Sequence, residues 1–223
     1  MCVLLTLDRL GIPTLAILTR QIPVGVRGVG DLHVLRVVQQ PLARPQRRSD
    51  PSGLYFTPNH LWLDGEESGL CHIGIDAFAA EVVEKLDGVT FVTSNGSRRP
   101  TVVLAVNGAE WPLTFPNPLM IQRVNTYAQH NPERVTADPY GAGWLFEGFE
   151  IPERTRAGLI SGDRAAAWQQ EERRRLSRYV HEHHLPDGDG GDVAPGVARL
   201  LPKAEAVALF QYFFGRTSWA AED

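Results

Sequence analysis

The sequence predicts a mainly β protein with helices at its periphery, on three observations. From Tyr55 to about Ile151, short apolar runs alternate with turn dipeptides at Asp64-Gly65, Asp87-Gly88, Asn95-Gly96 and Asn107-Gly108, the spacing of a compact, mostly antiparallel β domain. A single helical pattern interrupts that region, and the others follow it. The composition, 223 residues with 43% hydrophobic and 22% charged, is that of an ordinary soluble chain able to bury a real core.

Residues 1–40 form an N-terminal apolar extension in which runs such as VLLTL and TLAIL are broken by Gly11, Pro13 and Pro23. Asp8, Arg9, Pro13 and Arg20 interrupt it before ~20 apolar residues accumulate, so no transmembrane segment is expected. It also lacks the basic lead and small-residue cleavage site of a secretory signal, which places the chain in the cytoplasm. Residues 41–53, PLARPQRRSDPSG, read as a linker.

The main domain spans 54–184. Within it, Asp76 to Leu86 sets Phe78, Val82 and Leu86 at steps of four, a helix with one face for the sheet. A longer helix starts near Gly162-Asp163 and runs through RAAAWQQEERRRLSRYVHE, with Trp168, Leu176 and Tyr179 as its buried stripe. Residues 185–202 read as a flexible linker, and 203–223 as a C-terminal helix and tail. Val207, Leu209, Phe210, Phe213 and Phe214 give that helix an apolar face that must dock on its own body or on a partner.

A net charge of −4 offers no field that would attract nucleic acid. Cys2 and Cys71 are too few for a disulfide framework or a four-ligand metal site and read as free thiols. His181 and His184 have metal-ligand spacing but sit at a helix C-terminus, where polar and cationic groups suit the free carbonyls. Asp187, Asp189 and Asp192 resemble the start of a calcium loop, yet the twelfth position is Ala198. GVRGVG at 25–30 lacks the order of a phosphate-binding loop. His60 has no nucleophile motif around it, and Glu171 to Arg175 read as a solvated helix face. No metal and no catalytic residue is expected.

Four blocks occur in a recognisable order: YFTPNHLWL at 55–63, HIGIDAFA at 72–79, VTFV at 89–92, and Val124-Asn125 followed by Asn131-Pro132 and DPYGAGWL at 138–145. Together they resemble the H protein of the glycine cleavage system, over about residues 54–180. The resemblance implies a flattened β-barrel or sandwich of two sheets, in which a hairpin presents one lysine for lipoylation, and a carrier that docks into clefts of enzymes. Aligned without a gap from Pro116 and Val124-Asn125, Gly108 stands where that lysine stands in the family. Of the 22 basic residues only Lys85 and Lys203 are lysines, and neither is expected near the hairpin. Arginine cannot replace the amine, because its guanidinium is always protonated. The turn itself survives, since Asn-Gly favours the type I′ geometry in which both residues take positive φ.

These observations lead to an unlipoylated, H-protein-like binding or scaffold module without a cofactor, acting by recognition of other proteins, as in a multi-subunit complex. The expected partner-binding residues are Asn107, Gly108, Glu110, Trp111, Phe210, Phe213 and Phe214, with Trp111 either a core residue or an exposed anchor. The alternative is a glycine cleavage H carrier shuttling an aminomethyl group, disfavoured by Gly108. A third reading, with less support, is an enzyme using His60, His72 or the VHEHH run.

Overall fold

Alternating burial and turn chemistry produce three sets of strands, described by a computed structural model at residues 5–7, 13–15, 53–65, 68–185, 193–216 and 218–219. The chain divides into units 1–40 and 41–223. In the first, β1 (Leu5–Leu7) pairs antiparallel with β2 (Pro13–Leu15).

In the second unit the strands are β3 (Tyr55–Phe56), β4 (Leu61–Leu63), β5 (Leu70–Ile75), β6 (Gly88–Phe91), β7 (Gly96–Arg98), β8 (Thr101–Val106), β9 (Ala109–Thr114), β10 (Leu119–Val124), β11 (Phe146–Glu150) and β12 (Ile160–Ser161). Seven of them form a sheet in the order β12-β3-β4-β5-β11-β10-β7, and three form a second in the order β6-β8-β9, every pairing antiparallel. The sheets share one core, to which Ile73, Ile75, Leu119 and Ile121 contribute from the first and Val102, Leu104, Trp111 and Leu113 from the second. The mainly β fold with peripheral helices is therefore the one the sequence predicts.

On β9, alternation turns Ala109, Trp111 and Leu113 inward and Glu110 and Pro112 outward. Pro112 has no N–H for a ladder, and β9 is an edge strand where one fewer donor is tolerated. Gly74 faces Trp62 across β4 and β5, where a Cβ would lie 2.8 Å from the indole ring.

Among the described residues of this unit there are six helices: α1 (Ala77–Val83), α2 (Thr126–His130), α3 (Glu133–Ala137), α4 (Gly162–Glu182), α5 (Val197–Leu200) and α6 (Lys203–Phe214). Asp76 caps α1 by accepting from Ala79 N at 2.8 Å. Phe78, Val82 and Leu86 are buried on the face that the periodicity assigns to the core. Asn125 caps α2 in the same way, and its amide donates to the carbonyls of Ala142 and Trp144 at 3.0 and 2.7 Å. The 138–145 motif is thus tied to the end of β10.

Two expectations need correction here. The segment 185–202 is not a linker throughout, because Val197, Ala198 and Leu201 are buried in the main core; residues 186–192, with the acidic run, lie outside the described residues. The buried stripe of α4 consists of Ala165, Glu172, Leu176 and Val180, with Trp168 and Tyr179 only half-buried. A carboxylate therefore lies inside a helix face that reads as solvated, for a reason found at His60.

Candidate functional site

The β8–β9 hairpin ends at Asn107 and Gly108 with φ of 47° and 73°, the two positive values that the Asn-Gly dipeptide supplies. Both residues and Glu110 are exposed, and the place of a Cβ on Gly108 has nothing within 4 Å. The tip is nonetheless pinned from two sides. Asp87 Oδ2 accepts from Asn107 N at 2.6 Å, and the Asn107 side-chain amide donates to the carbonyls of Arg199 and Leu201 at 3.2 and 3.4 Å. Arg199 closes the ring by donating from Nη1 to Asp87 Oδ1 and to the Lys85 carbonyl, both at 2.9 Å. Burial works against the charged form of Asp87, but Arg199, the Asn107 N–H and the Lys85 charge outweigh it and hold the carboxyl below its usual range.

This geometry corrects the placement of the lysines. Lys85 lies two residues before Asp87, and Lys203 two residues beyond Leu201, so both lysines branch from the chain near the tip although they are far from it in sequence. Both are exposed.

Behind the tip the hairpin is covered by α6. Trp111, only 1% exposed, stacks on Phe210 and Phe214 with ring centroids at 4.7 and 5.7 Å, and Phe213 packs against Phe78 at 5.6 Å. Trp111, Phe210, Phe213 and Phe214 are therefore core residues rather than a free partner surface, because the apolar face of α6 finds its complement within the chain. Asn107, Gly108 and Glu110 remain accessible.

His60 lies beneath this aromatic layer, fully buried, with a left-handed φ of 61°. Its ring stacks between Phe78 at 4.2 Å and Trp168 at 4.8 Å, with Phe214 edge-on at 5.2 Å. Nδ1 is 2.8 Å from Asp76 Oδ2, and Nε2 is 3.6 Å from Glu172 Oε2. Glu172 also pairs with Arg175, whose guanidinium lies over the rings of Tyr212 and Phe213 at 5.0 and 5.2 Å. Glu172 is buried because it faces His60 from α4 and balances its charge. Burial lowers the His60 pKa, but Asp76 and Glu172 outweigh it and raise the value above 6.5.

A second buried histidine, His72, lies between Asp64 at 3.3 Å and Glu147 at 3.1 Å, and Arg123 pairs with the same Glu147. Its pKa is also raised, with the two carboxylates overcoming desolvation. The Tyr140 phenol, pushed up to about 12 by burial and by Asp76, accepts from Ala77 N. Burial likewise pushes up the thiol of Cys71, which is free; Cys2 lies outside the described residues. His72 is thus held by carboxylates on both ring nitrogens, whereas His60 is hydrogen-bonded only through Nδ1 to Asp76, its Nε2 facing Glu172 at 3.6 Å without a hydrogen bond.

Taken together, fold and site define a β module that presents a tight, solvent-facing hairpin and keeps two histidines buried among carboxylates. A family profile described as "Glycine cleavage H-protein" matches residues 54–172, and the chain belongs to that family. Similar curated proteins include glycine cleavage system H protein 1 of Pseudomonas putida, 36% identical over 121 residues, covering 50% of this chain and 90% of that protein. The glycine cleavage system H protein of Laribacter hongkongensis is 30% identical over 128 residues, covering 54% and 95%. A crystal structure of the H protein from Mycobacterium marinum aligns with a TM-score of 0.47 at 24% identity, covering 54% of this chain and 99% of that one.

The family match overturns the expectation of an unlipoylated binding or scaffold module and favours the carrier alternative. The reasoning from Gly108 concerns a single position, whereas the match extends over more than half of the chain. H proteins are lipoyl carriers rather than catalysts, and they work with the other proteins of the glycine cleavage system. No helix among the described residues is long and apolar enough to cross a membrane. A lipoyl group requires a primary amine. Gly108 offers open space and no amine, and the amines at that end of the molecule belong to Lys85 and Lys203.

Proposed function

We propose that this chain is a glycine cleavage H-type carrier that docks with the other proteins of that system through its hairpin end. The observation that carries the reading is the family match over residues 54–172, a span that includes the hairpin, its tip turn and the three accessible residues Asn107, Gly108 and Glu110. Those residues form the partner-facing surface. Trp111 and the α6 phenylalanines support it from within by fixing the position of β9. The tip carries no lipoyl group at Gly108, which has no side chain to acylate. The chain is not itself a catalyst.

The test is direct binding of the purified chain to each glycine cleavage enzyme from the same cell, by calorimetry. Binding should weaken at least about tenfold for Glu110→Arg, which reverses a charge on the docking surface. Failure of the wild-type chain to bind any of those enzymes would remove the reading.

A further inference from the structure

We infer that residues 196–201 are a positioning device for the hairpin tip, in which Arg199 fixes Asn107 so that Gly108 and Glu110 meet a docking partner in one prearranged geometry. The inference deepens the carrier reading above and rests on it for the docking step. A two-residue turn at the end of an antiparallel pair is an ordinary place for fraying, because its backbone is solvated and few contacts hold it. Asn-Gly supplies the positive φ values of the turn without outside help. The Asn107 side-chain amide nevertheless reaches the carbonyls of Arg199 and Leu201, 92 and 94 residues away in sequence, at 3.2 and 3.4 Å.

Those acceptors stand on a fixed base. Val197, Ala198 and Leu201 are buried in the main core. Gly196 N donates to Glu81 O at 2.8 Å, which ties the start of α5 to α1, and Arg199 N donates to Gly196 O at 2.8 Å. Gly196 suits this close joint, since its φ is 71° and a Cβ there would collide with the Glu84 carboxylate. From the opposite side, Arg199 Nη1 donates to Lys85 O and to Asp87 Oδ1, both at 2.9 Å, and Asp87 Oδ2 accepts from Asn107 N at 2.6 Å. Asn107 is therefore held through its side chain and through its backbone, by two routes that meet at Arg199.

The support leaves the tip accessible. Asn107, Gly108 and Glu110 are exposed with these bonds made, and nothing lies within 4 Å of the place of a Cβ on Gly108. A cover would hide those residues, whereas a support that leaves them in solvent spares a partner the cost of ordering the turn. The family profile ends at residue 172, so this support comes from outside the span that defines the family. Arg199 is accordingly a positioning residue, acting through Asp87 and Asn107.

The experiment compares the full-length wild type with Arg199→Ala and Arg199→Lys in three measurements: amide hydrogen exchange at Asn107, melting temperature, and calorimetric affinity for the glycine cleavage enzyme that the wild type binds most tightly. Arg199→Ala should speed exchange at Asn107, lower the melting temperature by no more than about 4 °C, and weaken docking roughly two- to tenfold. Arg199→Lys should restore slow exchange and docking together, because both Arg199 side-chain bonds come from one nitrogen and an ammonium has donors for both. Unchanged exchange in Arg199→Ala overturns the positioning role. Faster exchange with unchanged docking overturns its consequence for partners, and faster exchange with tighter docking makes the segment a cover instead. A much larger fall in melting temperature, with docking lost alongside it, makes Arg199 an ordinary structural residue. A wild type that binds none of the enzymes removes the carrier reading and the docking step with it, and the exchange data then decide whether the segment positions the tip.

Discussion

The hairpin tip and the His60 cluster are both closed by the C-terminal segment, but by opposite means. At the tip, α5 and Leu201 just after it contribute two carbonyl hydrogen-bond acceptors and one surface ion pair, Arg199 with Asp87. Farther along α6, Phe210, Phe213 and Phe214 are buried against Trp111, Phe78 and the His60 ring. Surface ion pairs contribute about 0–1 kcal/mol, whereas burying one aromatic side chain contributes roughly 1.5–3 kcal/mol. The C-terminal segment is therefore anchored by buried side chains along α6 and at Val197, Ala198 and Leu201, while its bonds to the tip itself are polar and mostly exposed. Losing the polar bonds to the tip should therefore cost far less than losing the buried aromatic contacts.

The largest expected effect tests the buried aromatic contacts. Phe210→Ala and Phe214→Ala should each destabilise the chain by about 3–5 kcal/mol, read as a shift of the denaturant midpoint at constant slope. An unchanged midpoint would mean that α6 contributes nothing to the fold and would break the comparison outright. Next comes Glu172→Ala, which leaves His60 and Arg175 without their shared carboxylate. Removing one member of a buried charge pair costs about 3–5 kcal/mol, and Glu172→Gln should cost less because it keeps a polar partner.

The third prediction concerns pH. His60 and His72 have folded-state pKa values above 6.5, so their stabilising contribution is complete below 6.5 and is lost as pH rises through the folded values. Burial raises the pKa of Glu147 and Glu172, but their cationic partners outweigh it and hold both below 4.5. Their contribution is present above 4.5 and is lost as pH falls through the folded values. The melting temperature should accordingly be highest between those limits. His60→Gln should flatten the alkaline arm, and an identical pH profile for that variant would rule out an ionised His60. The smallest effect belongs to the tip: Asp87→Asn should change stability by no more than about 1 kcal/mol while speeding amide hydrogen exchange at Asn107. A large loss of stability would show that the tip is fastened as firmly as α6.

Local features were legible in the sequence because local chemistry determines them. The Asp76 cap, the apolar face from Phe78 to Leu86 and the positive φ of Asn107 and Gly108 all follow from neighbours within a few residues. Trp111 was open between core and anchor, and the alternation Ala109, Trp111, Leu113 along β9 is the signal that resolves it. Glu172 was misread because a run of glutamates and arginines at helical spacing has no mark for the one carboxylate that faces a buried histidine. The pinning of the tip was the least accessible, since Asn107 and Arg199 are 92 residues apart and only the path of the chain after α4 brings them together. The same path carries Lys203 toward the hairpin, whereas Lys85 comes near it through the pairing of β6 with β8.

That clustering has a practical consequence for anyone who attaches this protein to a sensor chip or a resin. Apart from the N-terminal amine, amine-reactive coupling has only Lys85 and Lys203 to react with, and each lies two residues from a group that hydrogen-bonds Asn107. Molecules captured through them would be oriented with the hairpin against the matrix, and an interaction surface there would be masked by the chemistry used to look for it. Immobilising the partner and leaving this chain in solution keeps that end free.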